Sequence, residues 1–162
     1  RYELTIDAQP ITRNHLSFWY DHGRMPADER YAYAVCPGVP AEKMPKLARR
    51  PSFEIVANRT DVSAVRSGTV WMANFWTAAE AGRVTSDGPS SVALERRGKK
   101  LSFAATDPTQ RSESLTIRIP GNCRPVVAHP RVRVLHSGNE TLLSVNTRDL
   151  FGLPVRMELQ YD

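Results

Sequence analysis

Few side chains in this sequence have the type and spacing needed for chemistry. Asp21-His22-Gly23 sets a carboxylate beside an imidazole, the pairing by which an aspartate orients a general base. The same triplet reads more simply as a turn closing an aromatic strand. Asp and Gly are turn residues, and no nucleophile or metal partner stands nearby. Tyr31 and Tyr33 share one face of a strand, where phenol rings can stack on sugars and Tyr31 can move a proton; core packing is the plainer role. Trp71 and Trp76, with Phe75, offer a stacking platform for carbohydrate. The two indoles stand an odd number of positions apart, so one regular strand aims them to opposite sides and assigns at least one to the core. Arg96, Arg97, Lys99 and Lys100 cluster at an expected hairpin tip, within reach of an acidic chain, although a solvated turn is the default for such a run. Trp71, Trp76, Arg96 and Arg97 are therefore weak candidates for binding substrate.

Other signatures are missing. No G-x-S-x-G, P-loop, dinucleotide-binding glycine pattern or H-E-x-x-H occurs. The four histidines show no ligand spacing, and Cys36 and Cys123 form no C-x-x-C, so no metal site is expected. The two cysteines fit one disulfide or two buried thiols equally well. Asn58-Arg59-Thr60 and Asn139-Glu140-Thr141 match the N-glycosylation pattern, which is short and frequent by chance. Read from its residues alone, the chain offers no convincing active site.

The chain has 162 residues and a formal charge of +5, with Arg far outnumbering Lys. That length holds one domain, or one domain and part of another. A basic surface favours polyanions, namely nucleic acid, anionic membrane or acidic polysaccharide, or it is the mild excess of an ordinary soluble domain. No apolar run is long enough for a transmembrane helix, and no signal-peptide pattern is seen. Residues 1–7 already alternate like a strand, which suggests a piece of a longer protein.

The elements that must position these residues follow from period-2 alternation. Strands are expected over 2–8, 15–20, 30–35, 53–57, 62–66, 70–76, 91–96, 101–105, 114–119, 132–135, 141–145 and 155–160. Residues 41–50 are the only helix candidate, a turn or two, interrupted by Pro45 and ended by Pro51. Residues 77–91 read as loop. Arg97-Gly98-Lys99-Lys100 reads as a hairpin turn, and Asp107-Pro108-Thr109 as a tight corner after a buried strand. Prolines at 120, 125, 130 and 154 fall between runs or at strand starts, where no ladder donor is lost. Many short strands with regular turns imply a β-sandwich, with a boundary in the linker over 37–51.

The run Phe18-Trp19-Tyr20-Asp21-His22-Gly23, then Pro26, then Tyr31-Ala32-Tyr33-Ala34-Val35-Cys36-Pro37-Gly38, resembles polysaccharide lyase family 8, which holds hyaluronate, chondroitin AC and xanthan lyases. Phe53 to Thr60, Val62, Ala64, Val65, Asn74-Phe75-Trp76 and the stretch Ala104 to Gln110 continue the likeness in order. Asp107-Pro108-Thr109 is its most specific later signal, and Arg59 departs from an expected Asn-Thr corner. The resemblance implies an all-β chain. Residues 1–51 would be the last strands of a larger central β-sandwich plus a linker, and 52–162 an antiparallel C-terminal β-sandwich. It further implies that the catalytic Asn, His, Tyr and Arg belong to an N-terminal α/α toroid outside this chain, so no catalytic residue lies here and His22 and Tyr31 are not a catalytic pair. The motif residues Asp21, His22, Gly23, Tyr31, Tyr33, Asn58, Asp107, Pro108 and Thr109 then act structurally. The implied reaction is β-elimination at a uronic acid, with no cofactor. The implied partners are the toroid, the rest of the central sandwich and an acidic polysaccharide, with neither nucleic acid nor membrane, in a secreted or extracytoplasmic setting. A stand-alone carbohydrate-binding sandwich using Trp71 or Trp76 is the alternative, and a self-contained lyase using His22 and Tyr31 a more distant one.

Overall fold

A computed structural model describes residues 17–136 and 138–162. The chain forms two compact units, Arg1–Pro37 and Gly38–Asp162. The strand expected over 2–8 and the start of the one over 15–20 lie outside the described residues.

In the first unit, 17–20 and 30–35 run without a backbone ladder, so the strands expected there do not form among the described residues. Their side chains pair all the same. Phe18 meets Tyr33 edge-on at 5.3 Å between ring centroids, and Tyr20 stacks on Tyr31 at 5.5 Å. The Tyr20 hydroxyl donates to the Ala32 carbonyl at 3.2 Å. All four rings remain about half exposed or more. Two short segments are by themselves too few to sustain a ladder, however suitable their residues.

The second unit opens with a 3-10 turn, Ala41–Lys43, that runs into helix α1, Met44–Arg49. Pro45 does not interrupt this helix. It sits in the first turn, where a backbone N–H would have had no partner. The helix stops at Arg50, just ahead of Pro51.

Twelve strands follow: β1 Glu54–Asn58, β2 Val62–Ser67, β3 Val70–Phe75, β4 Ala79–Ala81, β5 Val84–Ser86, β6 Ser90–Arg97, β7 Lys100–Thr106, β8 Ser114–Pro120, β9 Cys123–Pro125, β10 Val132–His136, β11 Glu140–Asn146 and β12 Val155–Tyr161. They form two antiparallel sheets. One has the order β1-β2-β3-β6-β7-β12-β9 and the other β10-β11-β8-β5-β4. Alternation does what it should: β8 buries Leu115, Ile117 and Ile119, and β11 buries Thr141, Leu143 and Val145, each with its neighbours turned outward. With Phe75 and Phe103 from the larger sheet these residues make the core. Each such fully buried Leu, Ile or Phe contributes roughly 2 kcal/mol relative to exposure.

Two parts of the strand reading need correction. The expected loop at 77–91 contains β4 and β5, joined by Gly82-Arg83 with φ of +55° and +71°. That is a two-residue hairpin of the primed type, in an Arg-containing form that carries no familiar turn signature. A Cβ on Gly82 would stand 2.9 Å from Val56 Cγ1, so the close approach also demands glycine there. Strand β9 was not expected either. It is three residues long and is held at the edge of the larger sheet by β12.

Candidate functional site

Wherever the chain crosses from one sheet to the other, the backbone leaves its ladder and must find other partners. Asp107 serves the crossing from β7 to β8. Its carboxylate accepts from the Thr109 backbone N–H at 2.8 Å, Thr109 Oγ1 at 2.6 Å, Arg111 N–H at 2.8 Å and Ser112 N–H at 2.7 Å. Burial alone would raise its pKa, but these donors outweigh it and hold the acid down at about 2. Pro108 and Thr109 form the turn that brings these amides round, and Asp107 lies outside the ladder. Asn58 ends β1 opposite Ser63, and Arg59 explains its own presence in the adjoining corner. Its guanidinium pairs with Asp61 at 2.9 Å and donates to the Glu80 carbonyl at 2.8 Å, tying the β1–β2 turn to β4.

The sequence candidates fall in separate places. Trp71 faces inward and is 9% exposed, 6.4 Å from Phe75, with its Nε1 buried and lacking a hydrogen-bond partner. Trp76 follows the last residue of β3 and is 54% exposed. The two indoles therefore make no joint platform. Arg96 lies over the ring of Tyr161, 4.4 Å from its centroid, and donates to the Gly98 carbonyl at 3.1 Å. Arg97 is paired with Glu95 at 2.7 Å, two positions back on the same strand face. Neither arginine at this hairpin tip is free. Tyr161, one residue past the strand expected over 155–160, is the floor of the arrangement. Burial raises its pKa, the neighbouring Cys123 adds to the rise and Arg96 opposes it. Burial likewise raises the Cys123 thiol, and both cysteines are free.

In the first unit Asp21 Oδ1 accepts from the Gly23 N–H at 2.8 Å, an Asx turn, and Gly23 has φ +77°. His22 instead faces Glu29, with Nδ1 3.6 Å from its carboxylate, and stacks near Tyr20. Asp21 thus orients the turn and not the imidazole. Among the described residues no three of His, Cys, Asp or Glu converge as a metal-ligand set.

The outer face of the seven-stranded sheet carries a further feature. Strand register lines up Val65, Met72, Ala93, Ala104 and Arg156 across five strands, beside a neutral polar row of Ser63, Asn74, Ser91 and Thr106. The small side chains in the middle leave a shallow groove of about 430 Å³. Met72 and Val65 are exposed along it, and its lining holds no ionisable side chain.

Two antiparallel sheets with clamped corners define a β-sandwich module. Residues 54–116 match the C-terminal β-sandwich domain of polysaccharide lyase family 8. A hyaluronate lyase of Cutibacterium acnes is 29% identical over 93% of this chain and 19% of its own length. A xanthan lyase of Bacillus sp. (strain GL1) is 29% identical over 88% of this chain and 16% of its own. The solved chondroitin AC lyase of Streptomyces coelicolor A3 superposes with a TM-score of 0.70 at 25% identity, covering 78% of this chain and 17% of that one. By sequence and by fold, the chain is similar to the C-terminal portion of polysaccharide lyase family 8 enzymes. It spans less than a fifth of the length of the curated relatives named here.

Proposed function

We propose that the chain is the non-catalytic C-terminal part of an extracytoplasmic polysaccharide lyase. The intact enzyme cleaves uronic-acid-containing polysaccharide by β-elimination. A base removes the C5 proton, a neutralising group holds the carboxylate and an acid protonates the leaving oxygen. Residues 1–51 supply the last strands of a central sandwich and 52–162 the C-terminal sandwich, and together they buttress the substrate cleft. The observation that carries this reading is the match to a hyaluronate lyase across 93% of the chain but only 19% of that enzyme. The half-exposed rings of Phe18, Tyr20, Tyr31 and Tyr33, and the exposed Met72 and Val65, support it as surfaces suited to packing against the remainder of the protein. The stand-alone carbohydrate-binding reading keeps only Trp76 as a platform, because Trp71 lies in the core.

The test is to assay the chain on hyaluronan, chondroitin and xanthan by the ultraviolet absorbance of an unsaturated uronyl end, alone and joined to an N-terminal toroid. Turnover only in the joined protein is expected. Turnover by the chain alone would overturn the proposal, as would an inactive joined protein that is folded.

A further inference from the structure

Strand β10 forms one edge of the five-stranded sheet, paired only with β11. Arg131 immediately precedes it and Arg133 lies within it. Arg131 belongs to the turn leading into β10, closed by the Val132 N–H donating to the His129 carbonyl at 3.1 Å, and its side chain and that of Arg133 line the same recess. Val132 is buried and Arg133 exposed, so Arg133 stands on the outer face of the sheet. Register sets Arg133 opposite Ser144 and Ser144 opposite Thr116. One step along, the Asn146 N–H donates to the Arg131 carbonyl at 2.7 Å, and Asn146 stands opposite Ser114. Each arginine therefore heads a cross-strand row of neutral hydroxyl and amide groups. The two rows line a recess of about 290 Å³, closed by Glu113, Arg148 and Pro130.

The charges in this recess do not cancel. Arg148 is taken by Glu113 in a close ion pair, and Glu113 is the one carboxylate of the lining. Arg131 spends Nη1 on the Arg148 carbonyl at 2.8 Å, which steadies its guanidinium, and it has no carboxylate partner among the described residues. Arg133 is exposed and has no carboxylate partner among the described residues. The contrast with Arg118, on the same outer face, is sharp: that side chain is held between Glu80 and Glu140, each at 3.2 Å. Arginines along an edge also discourage edge-to-edge pairing. That role needs no recess, and no row of neutral donors behind the charge.

We propose that this recess is an accessory binding site for the carboxylate or sulfate groups of an acidic polysaccharide. Arg131 and Arg133 grip the anion through their planar forks, and Ser144, Asn146 and Ser114 meet the adjoining hydroxyls. The choice of polysaccharide as ligand rests on the function proposed above; the anion chemistry rests on the recess itself.

The test uses the whole chain and measures affinity for hyaluronan, which carries carboxylates, and for chondroitin sulfate, which carries both groups. Dextran serves as a neutral control and single-stranded DNA as a competing polyanion. Binding to at least one glycan is expected, weakening with added salt. Arg133→Ala lowers that affinity about tenfold, the loss of one charge-assisted contact, with an unchanged melting temperature because the side chain is exposed. Arg66→Ala, on the other sheet and paired with Glu54, leaves binding as it was. A preference for hyaluronan identifies carboxylate as the anion, and one for chondroitin sulfate identifies sulfate. The proposal is overturned by absence of glycan binding, by Arg133→Ala binding like the parent, by equal loss in Arg66→Ala, by dextran binding as tightly, or by a preference for DNA. These outcomes are independent of the lyase assay: an inactive joined protein with Arg133-dependent glycan binding defeats the function and leaves the recess standing.

Discussion

The aromatic segment over 17–37 and the sandwich over 54–161 are written in the same alternating code, yet only the second becomes sheet. In the segment, Phe18 finds Tyr33 and Tyr20 finds Tyr31, as cross-strand partners should, but no ladder forms and the rings stay exposed. In the sandwich, weaker-looking runs such as Ser114–Pro120 are complete strands with fully buried residues. The difference is neighbours. β8 lies between β11 and β5 and faces a second sheet, whereas among the described residues the aromatic segments pair only ring to ring with each other. Alternation states which face a residue would occupy, and burial against a partner decides whether the strand exists.

The comparison breaks most visibly at the sheet crossings. Replacing Asp107 by Ala strands the backbone donors of Thr109, Arg111 and Ser112 in a buried corner. It should cost about 3 kcal/mol of sandwich stability by urea unfolding. A loss under about 1 kcal/mol would mean that solvent already serves those amides. The same carboxylate sets an acid limit. Its folded pKa of about 2 lies below the ordinary 3.8, so its contribution is complete above about pH 4 and disappears as pH falls through about 2. Roughly 2 kcal/mol should be lost on acidification from this group, and the Asp107→Asn variant should lack that part of the pH dependence.

A smaller effect is expected where a glycine touches the core. Gly121 has φ +91°, and a Cβ there would stand 2.6 Å from the Tyr161 ring. Gly121→Ala should cost about 1–2 kcal/mol and should disturb the Arg96–Tyr161 stack, visible as a change in tyrosine absorbance on alkaline titration. The smallest effect belongs to the aromatic segment. Phe18→Ser in this chain should change the unfolding free energy of the sandwich by less than about 0.5 kcal/mol. A larger loss would show that the segment is folded against something after all.

Several features were legible from residue order alone. The all-β class, the strands from β6 to β8 and from β10 to β12 to within about two residues, the hairpin at Gly98-Lys99 and the single short helix all follow from period and turn chemistry, which are local. The expectation that Trp71 and Trp76 do not share a face is also met, although Trp76 stands just past the end of β3 rather than within it. The inward member of that pair, the Tyr161 floor beneath Arg96 and the partner of His22 were not legible, since each depends on which distant strand lies alongside. The same holds for the contrast between Arg97 or Arg118 and Arg133. As residue types in a sequence they are equivalent cations; among the described residues the fold sets Glu95 beside one, Glu80 and Glu140 beside another, and no carboxylate beside the third. Short-range sterics and alternation are written in the order of the chain, whereas charge pairing and burial are properties of neighbours that only the closed sandwich supplies.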